Sequence, residues 1–357
     1  MSFTVIDAKI EDYKNIAYLA EKNNLLLEDL DCDKFIKLMK WLYSNTPAGD
    51  GIQLIALDNN TDQIISHYGG TPFKVKNEGG ILTMCVASNL VVQAGIRVPI
   101  FFLIQKKFIS EYRKRSYSFA FASVTRSGIV ETHAPLGWEV IGCNYVWVKP
   151  INFGSILNKM VGFNISKIVA CITTPLQFIY IKFFNKQADK LKVEEVTHFG
   201  PDFEQFLNTW SDEQKVCTVP DCEVLNWRYF LAPNRNYKIF VLKKDEQIRG
   251  YVSTRKMIMK NYETIAILEL VTLKDDFTAA NALLSACTSY SKKENVDLIA
   301  TSLKVNSLQI NLYKRNGFIK TSQNFKILSH QSNRSDKSYC KNLFKDWNVT
   351  WFEHDYV

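Results

Sequence analysis

A short aromatic motif occurs twice in this chain, 186 residues apart, and the repetition limits what the chain can fold into more than any other feature. Trp41-Leu42-Tyr43 is followed by Pro47, and Trp227-Arg228-Tyr229 by Pro233, giving W-x-Y-x3-P in both places. The flanks repeat as well. Each motif precedes an apolar run, a polar turn and a second apolar run: 52–57, 58–62 and 63–68 in the first half, 237–242, 243–246 and 247–254 in the second. Both series read as strand, turn, strand. Gln63-Ile64 and Gln247-Ile248 stand 184 apart, and Leu136-Gly137-Trp138 and Asn316-Gly317-Phe318 stand 180 apart. Offsets that shrink steadily along the chain describe two diverged copies of one unit.

Each copy continues with a helix between strands. Pro99 stands where a helix can start, and the segment to about Arg113 carries Ile100, Leu103, Ile104, Phe108 and Ile109 at helical spacing. In the second half Asp275 or Asp276 can cap a helix over about 277–292, with Ala280, Leu283, Leu284 and Cys287 on one face. Apolar segments 118–122 and 297–302 follow as strands. Strand–helix–strand crossovers force locally parallel pairing, whereas the hairpins pair antiparallel. Each copy is therefore expected to be a mixed sheet covered by helices, an α+β variant of the α/β class. The expected boundaries are 1–150 for the first unit, 151–192 for a linker and 193–357 for the second.

Composition narrows the partners. The 357 residues carry 44 basic and 36 acidic side chains, a net charge of +8, and 46% are hydrophobic, enough to fill two cores. The basic surplus admits anionic partners without choosing one, and no nucleic-acid motif accompanies it, so no nucleic acid is expected. Eight cysteines form no C-x-x-C pair and five histidines never fall within five residues of one another, so no metal site is expected. Serine-hydrolase, zincin and P-loop motifs are absent from the sequence. The first residues show no basic, apolar, small-residue secretory pattern, and a cytoplasmic protein is expected.

The segment 151–192 breaks the repeat. It holds six lysines (Lys159, Lys167, Lys182, Lys186, Lys190 and Lys192) against one acid, Asp189. Its apolar part, 168–184, is interrupted by Thr173, Thr174, Pro175, Gln177 and Lys182, too short and too broken to span a bilayer. Two readings stay open. The segment is either a helical linker packed on a domain or a basic amphipathic segment making peripheral contact with an anionic membrane surface.

Several stretches carry a family resemblance: 67–74 (HYGGTPFK), 89–97 (NLVVQAGIR) and 136–139 (LGWE) in the first half, and 225–229 (LNWRY), 313–318 (YKRNGF) and 347–351 (WNVTW) in the second. In this order and spacing they resemble a tandem pair of GCN5-related N-acetyltransferase (GNAT) domains, as in two-domain bacterial proteins of surface-polysaccharide biosynthesis. The resemblance implies two tandem GNAT-like (acyl-CoA N-acyltransferase) domains. It also implies transfer of an acyl group from acetyl-CoA or another acyl-CoA to an amine, with an amino-sugar precursor of a surface glycan as one small-molecule acceptor. Two alternatives accompany it: a Fem-like aminoacyl transferase, or a catalytically inactive tandem scaffold.

The resemblance also marks site candidates. The acyl-CoA strand and pyrophosphate loop correspond to Val92, Arg97, Val98 and Ile100, although Ile100 and Phe102 replace the family's small residues and Pro99 lacks an N–H. The second half offers Asp275 and Asp276 there, which repel a pyrophosphate. Tyr313, four residues before Gly317, matches the position of the tyrosine that protonates the leaving thiolate, and His133 has the same spacing before Gly137. Glu269 stands between Leu268 and Leu270 in an apolar strand, where a charge needs a reason. It is either a base of raised pKa or the partner of Arg228 or Arg249.

Overall fold

The computed structural model describes residues 2–23, 25–26, 30–44, 46–95, 97–125, 127–161, 168–184, 191–304, 307, 309–332 and 339–353. The first half runs β1 (Phe3–Asp7), α1 (Tyr13–Lys22), α2 (Cys32–Tyr43), β2 (Ile52–Asp58), β3 (Ile64–Asn77), β4 (Gly80–Val92), α3 (Arg97–Lys114), β5 (Phe119–Val124), α4 (Ser127–His133) and β6 (Glu139–Pro150). Two helices follow, α5 (Phe153–Val161) and α6 (Ile168–Phe184). The second half runs β7 (Lys192–Val196), α7 (Asp202–Glu213), β8 (Cys217–Thr218), α8 (Cys222–Tyr229), β9 (Tyr237–Lys244), β10 (Gln247–Met259), β11 (Tyr262–Thr272), α9 (Phe277–Lys293), β12 (Leu298–Lys304), α10 (Ile310–Arg315), β13 (Ile319–Gln331) and α11 (Tyr339–Asp346). The hairpins and both crossover helices expected from sequence are present, with strands β3 and β10 longer than the apolar runs that announced them.

Among the described residues the strands form one sheet in the order β1-β2-β3-β4-β5-β13-β6-β12-β11-β10-β9-β7, with β8 added beside β3. The order reads the same from either edge once β1 is matched to β7, β2 to β9, β3 to β10, β4 to β11, β5 to β12 and β6 to β13. Only β4–β5 and β11–β12 are parallel among the described pairs. Each parallel pair is short: Met84–Val86 beside Phe119–Phe121, and Thr264–Ile267 beside Leu298–Thr301. Beyond these residues the strands diverge.

The last strand of each half then crosses to the other. β13 pairs with β5, β6 pairs with β12, and the two crossing strands pair with each other at Ile327 and Gly142. The two copies thus share one sheet, and neither completes its own without the other's final strand. An unpaired strand edge is exposed backbone that needs a partner. Here the partner is the opposite copy.

The core follows this arrangement. One face of the sheet is covered by α3 in the first half and α9 in the second. On the other face a single cluster joins both halves, from Phe73, Val86 and Phe121 to Leu225, Trp227, Trp347 and Phe352. The repeated tryptophans meet here: the rings of Trp41 and Trp227 stack at 4.5 Å and 20°, and the Trp41 indole donates to the Trp227 carbonyl at 3.0 Å. Such a pair contributes about 0.5–1.5 kcal/mol beyond its buried area.

Gly142 shows how closely α11 sits on the crossing strands. A Cβ at this position would lie 1.7 Å from Phe344 Cε1, and Phe344 is buried in the shared core. Gly142→Ala is expected to destabilise the fold by about 1–3 kcal/mol through overpacking. Urea unfolding checks this, and an unchanged midpoint is incompatible with the packing.

Candidate active site

The divergence of β11 and β12 opens a cavity of about 520 Å³ in the second half. Its walls come from the end of β11 and the start of α9 (Glu269 to Phe277), from Lys304 at the end of β12 and Gln309 beyond it, and from Trp210, Trp347 and Phe352 on the α7/α8 face. Ligands in mixed and parallel sheets commonly sit where neighbouring strands part at their carboxyl ends.

A β-bulge aims the carboxylate of Glu269. Register slips between Ser253 and Thr254 of β10, so that Glu269 pairs with Ser253 and Ile267 with Thr254, leaving Leu268 extra. Before the slip, Ala266 and Leu268 face the α7/α8 core while Ile265 and Ile267 face α9; after it, Val271 faces α7/α8 and Leu270 faces α9. Strict alternation would have turned Glu269 toward α9. The extra residue reverses the parity and places Glu269 with Tyr229, Tyr251 and Ser253.

The contacts there are short and specific. Tyr229 and Tyr251 both donate to Glu269 Oε1, at 2.6 and 2.9 Å, and Ser253 Oγ donates to the Tyr229 hydroxyl at 2.9 Å. Burial pushes the Glu269 carboxyl up to about 7; the two phenols oppose the shift and Glu353 adds to it. Arg249 pairs instead with Asp276 at 2.5 Å, and Arg228 donates to the Tyr237 hydroxyl and the Phe352 carbonyl. The positive charge of Arg228 also acts on Glu269, drawing its pKa down against the effect of burial.

A second buried carboxyl lines the same cavity. Glu353 accepts from the Thr218 hydroxyl at 2.7 Å and from the Thr350 N–H at 2.9 Å, and burial raises its pKa as well. Lys304 supplies no free cation here. Its ammonium donates to the carbonyls of Phe344 (2.6 Å), Lys345 (2.6 Å) and Trp347 (3.2 Å), closing the C-terminal end of α11.

The other sequence candidates lie elsewhere. Tyr313 is buried against Phe318 in the α9 core, its hydroxyl pushed up by burial, while its neighbour Leu312 lines the cavity. His133 is buried at the end of α4. Its Nδ1 donates to the Ile129 carbonyl at 2.7 Å and its Nε2 accepts from Gln105 at 2.8 Å, so both nitrogens are engaged, and burial lowers its pKa. Ile100 is fully buried with Ala56 and Ile65, with Val92 packed on them, and Val98 is exposed. Arg97 opens α3, and its side chain lies outside the described residues. None of these six residues lines the cavity, which is in the half where Asp275 and Asp276 argue against a pyrophosphate.

The first half contains the matching network without its acid. Tyr43, the counterpart of Tyr229, meets Ser88 Oγ at 2.9 Å and accepts from Asn89 Nδ2 at 2.7 Å. Ser88 pairs across the strands with Gly69 as Glu269 pairs with Ser253. A Cβ on Gly69 would lie 2.2 Å from the Tyr43 hydroxyl, so the tyrosine fills the space that a serine borders in the second half. Sequence reasoning found Glu269 because a charge interrupts an apolar strand. It missed Tyr229, present in the repeat but read only as a motif, and Tyr251 and Glu353, which carry no local signal.

No protein-family model matches the sequence, and no curated protein matches it. Solved structures do. A protein of unknown function from Enterococcus faecalis V583, described as a probable N-acyltransferase, is 14% identical, with TM-score 0.62 over 93% of this chain and 73% of that one. A GCN5-related N-acetyltransferase from Anabaena variabilis is 11% identical, with TM-score 0.60 over 95% of this chain and 74% of that one. Saccharomyces cerevisiae N-myristoyltransferase, solved with bound myristoyl-CoA and inhibitors, is 11% identical, with TM-score 0.63 over 92% and 80%. The fold is therefore that of the GNAT-type acyl-CoA N-acyltransferases.

Ionisation of Glu269 is predicted to work against folding. Its pKa in the folded protein, about 7, lies above the ordinary 4.5, so its contribution to stability is complete below 4.5 and is lost as pH rises through 7. Thermal unfolding of Glu269→Gln and wild type across this window checks it. The variant is expected to gain on wild type as pH rises, by on the order of 1–3 kcal/mol at pH 8. A constant difference would reject the assignment.

Proposed function

We propose that the chain is an N-acyltransferase that moves an acyl group from a thioester to an amine in the second-half cavity, with Glu269 as the general base. The observation that carries this reading is a carboxyl held at about 7 by burial, aimed by a bulge into a cavity at the parting of two strands. A base of this pKa is well matched to neutral pH. It takes a proton from the acceptor ammonium, and the neutral nitrogen attacks the thioester carbonyl. The C–N bond forms, the C–S bond breaks, and the surplus proton on the nitrogen passes, directly or through water, to the leaving thiolate. Tyr229 and Tyr251 position the carboxylate, and Ser253 positions Tyr229.

The cavity suits the parts of an acyl-CoA unequally. The strand end from Leu270 to Thr272, free of β12, offers backbone groups to a pantetheine-like arm. The start of α9 does not fit a diphosphate: the N–H groups of Phe277, Ala279 and Ala280 already bond Asp275 O, Asp276 Oδ1 and Asp276 O. In this reading the donor's charged end meets Lys215, Lys274 and Lys345 at the rim instead. The filled helix start is also the one point in favour of an aminoacyl donor. On the acceptor side, Glu269 and Glu353 suit an ammonium group, and Trp210 offers an aromatic face on which an amino sugar stacks.

Thiol release from acetyl-CoA and longer acyl-CoAs, measured with a panel of amines that includes amino sugars, tests the proposal. Glu269→Gln is expected to lower kcat by about 10²–10⁴-fold and to remove a rising limb near pH 7 from the wild-type profile. Tyr313→Phe and His133→Gln are expected to leave the limb in place. Turnover that survives Glu269→Gln at the wild-type rate would overturn the assignment.

A further inference from the structure

The geometry points to α6 as an in-plane anchor that lies in the headgroup region of an anionic membrane, an inference that does not rest on the acyl-transfer reading. One stripe of this helix holds it to the protein. Ile181 is buried, the Tyr180 hydroxyl donates to the Gly317 carbonyl, Phe184 packs on Gly317, and the Tyr180 ring lies 5.3 Å from that of Phe153 on α5. The opposite stripe is apolar and faces solvent. Leu176 is 53% exposed, Phe178 67%, Ile179 62% and Phe183 76%, and on α5 Met160 is 68% exposed.

A helix apolar on all sides is normally buried on all sides. Here four large side chains on consecutive turns stay outside, a larger concentration than scattered surface residues produce. The occupant of this face follows from length and charge. At 17 residues α6 is about 25 Å long with Pro175 inside it, and no helix among the described residues is long and apolar enough to cross a membrane. It can lie along a bilayer surface instead. Neither α5 nor α6 contains an acid, and Lys182 is exposed in the last turn of α6, whereas Lys159 on α5 pairs with Asp297.

An anionic lipid surface complements both the apolar stripe and this charge. A second copy of the chain would offer this acid-free face no carboxylate to meet Lys182. The position has a consequence for access. α10 has Leu312 at the cavity and ends beside Gly317, where α6 rests, so one short helix links the cavity wall to the proposed anchor.

Co-sedimentation of the full chain with phosphatidylcholine vesicles, with and without about 30% phosphatidylglycerol, tests this at low and high salt. Binding is expected on the anionic vesicles at low salt and weaker at high salt. It should fall at least tenfold in Phe178→Glu/Phe183→Glu and measurably in Lys182→Glu. These side chains are exposed, and matching circular dichroism and melting confirm that the variants fold. Failure to bind anionic vesicles at low salt, or binding that the double substitution leaves intact, would overturn the proposal. So would self-association in sedimentation velocity that the double substitution abolishes without vesicle binding, because a second copy would then cover the face.

Discussion

The exchange of final strands across the centre of the sheet is the constraint on which the rest of the molecule depends. β5 and β12 each have a parallel neighbour on one side only and would leave the other edge unsatisfied. Antiparallel strands from the opposite copy fill those edges, and the two fillers hydrogen-bond to each other. Backbone donors and acceptors in the middle of a protein must find partners, so the exchange ties the folding of one copy to the presence of the other. The core cluster common to both halves, and the stacked Trp41 and Trp227 within it, are side-chain consequences of that backbone arrangement.

On the other side of β12, the parting from β11 creates the cavity, and Glu269 puts a carboxyl in it. In the second half a single extra residue in β11 turns Glu269 away from the α9 core and onto two phenols. The first half retains the tyrosine and the bulged strand yet has Ser88 and Asn89 in place of a carboxylate. The two halves follow the same strand order, and at this position they differ in a few side chains.

Arg97 drew sequence reasoning to the first half, because a basic residue at a helix entry is the ordinary mark of a phosphate site. Ile100 beside it packs with Ala56 and Ile65, the Arg97 side chain lies outside the described residues, and the cavity that holds Glu269 is in the other half. Tyr313 and His133 illustrate a related limit. Spacing from a glycine fixes where a residue falls along a turn, but in both cases the ring points into a core and its polar atoms are satisfied or enclosed there.

The sequence by itself determined the duplication, the hairpins, the crossover helices and the anomaly of Glu269, because periodicity, turn chemistry and a charge among apolar residues are local and survive without knowledge of neighbours. The exchange of β6 and β13 was decided by tertiary structure alone, since strand pairing between distant segments leaves no mark on either segment. Tertiary structure also decided the partners of Glu269. Tyr229, Tyr251 and Glu353 come from a helix end, a neighbouring strand and a turn near the far end of the chain, and only the bulge at Leu268 brings the carboxylate round to face them.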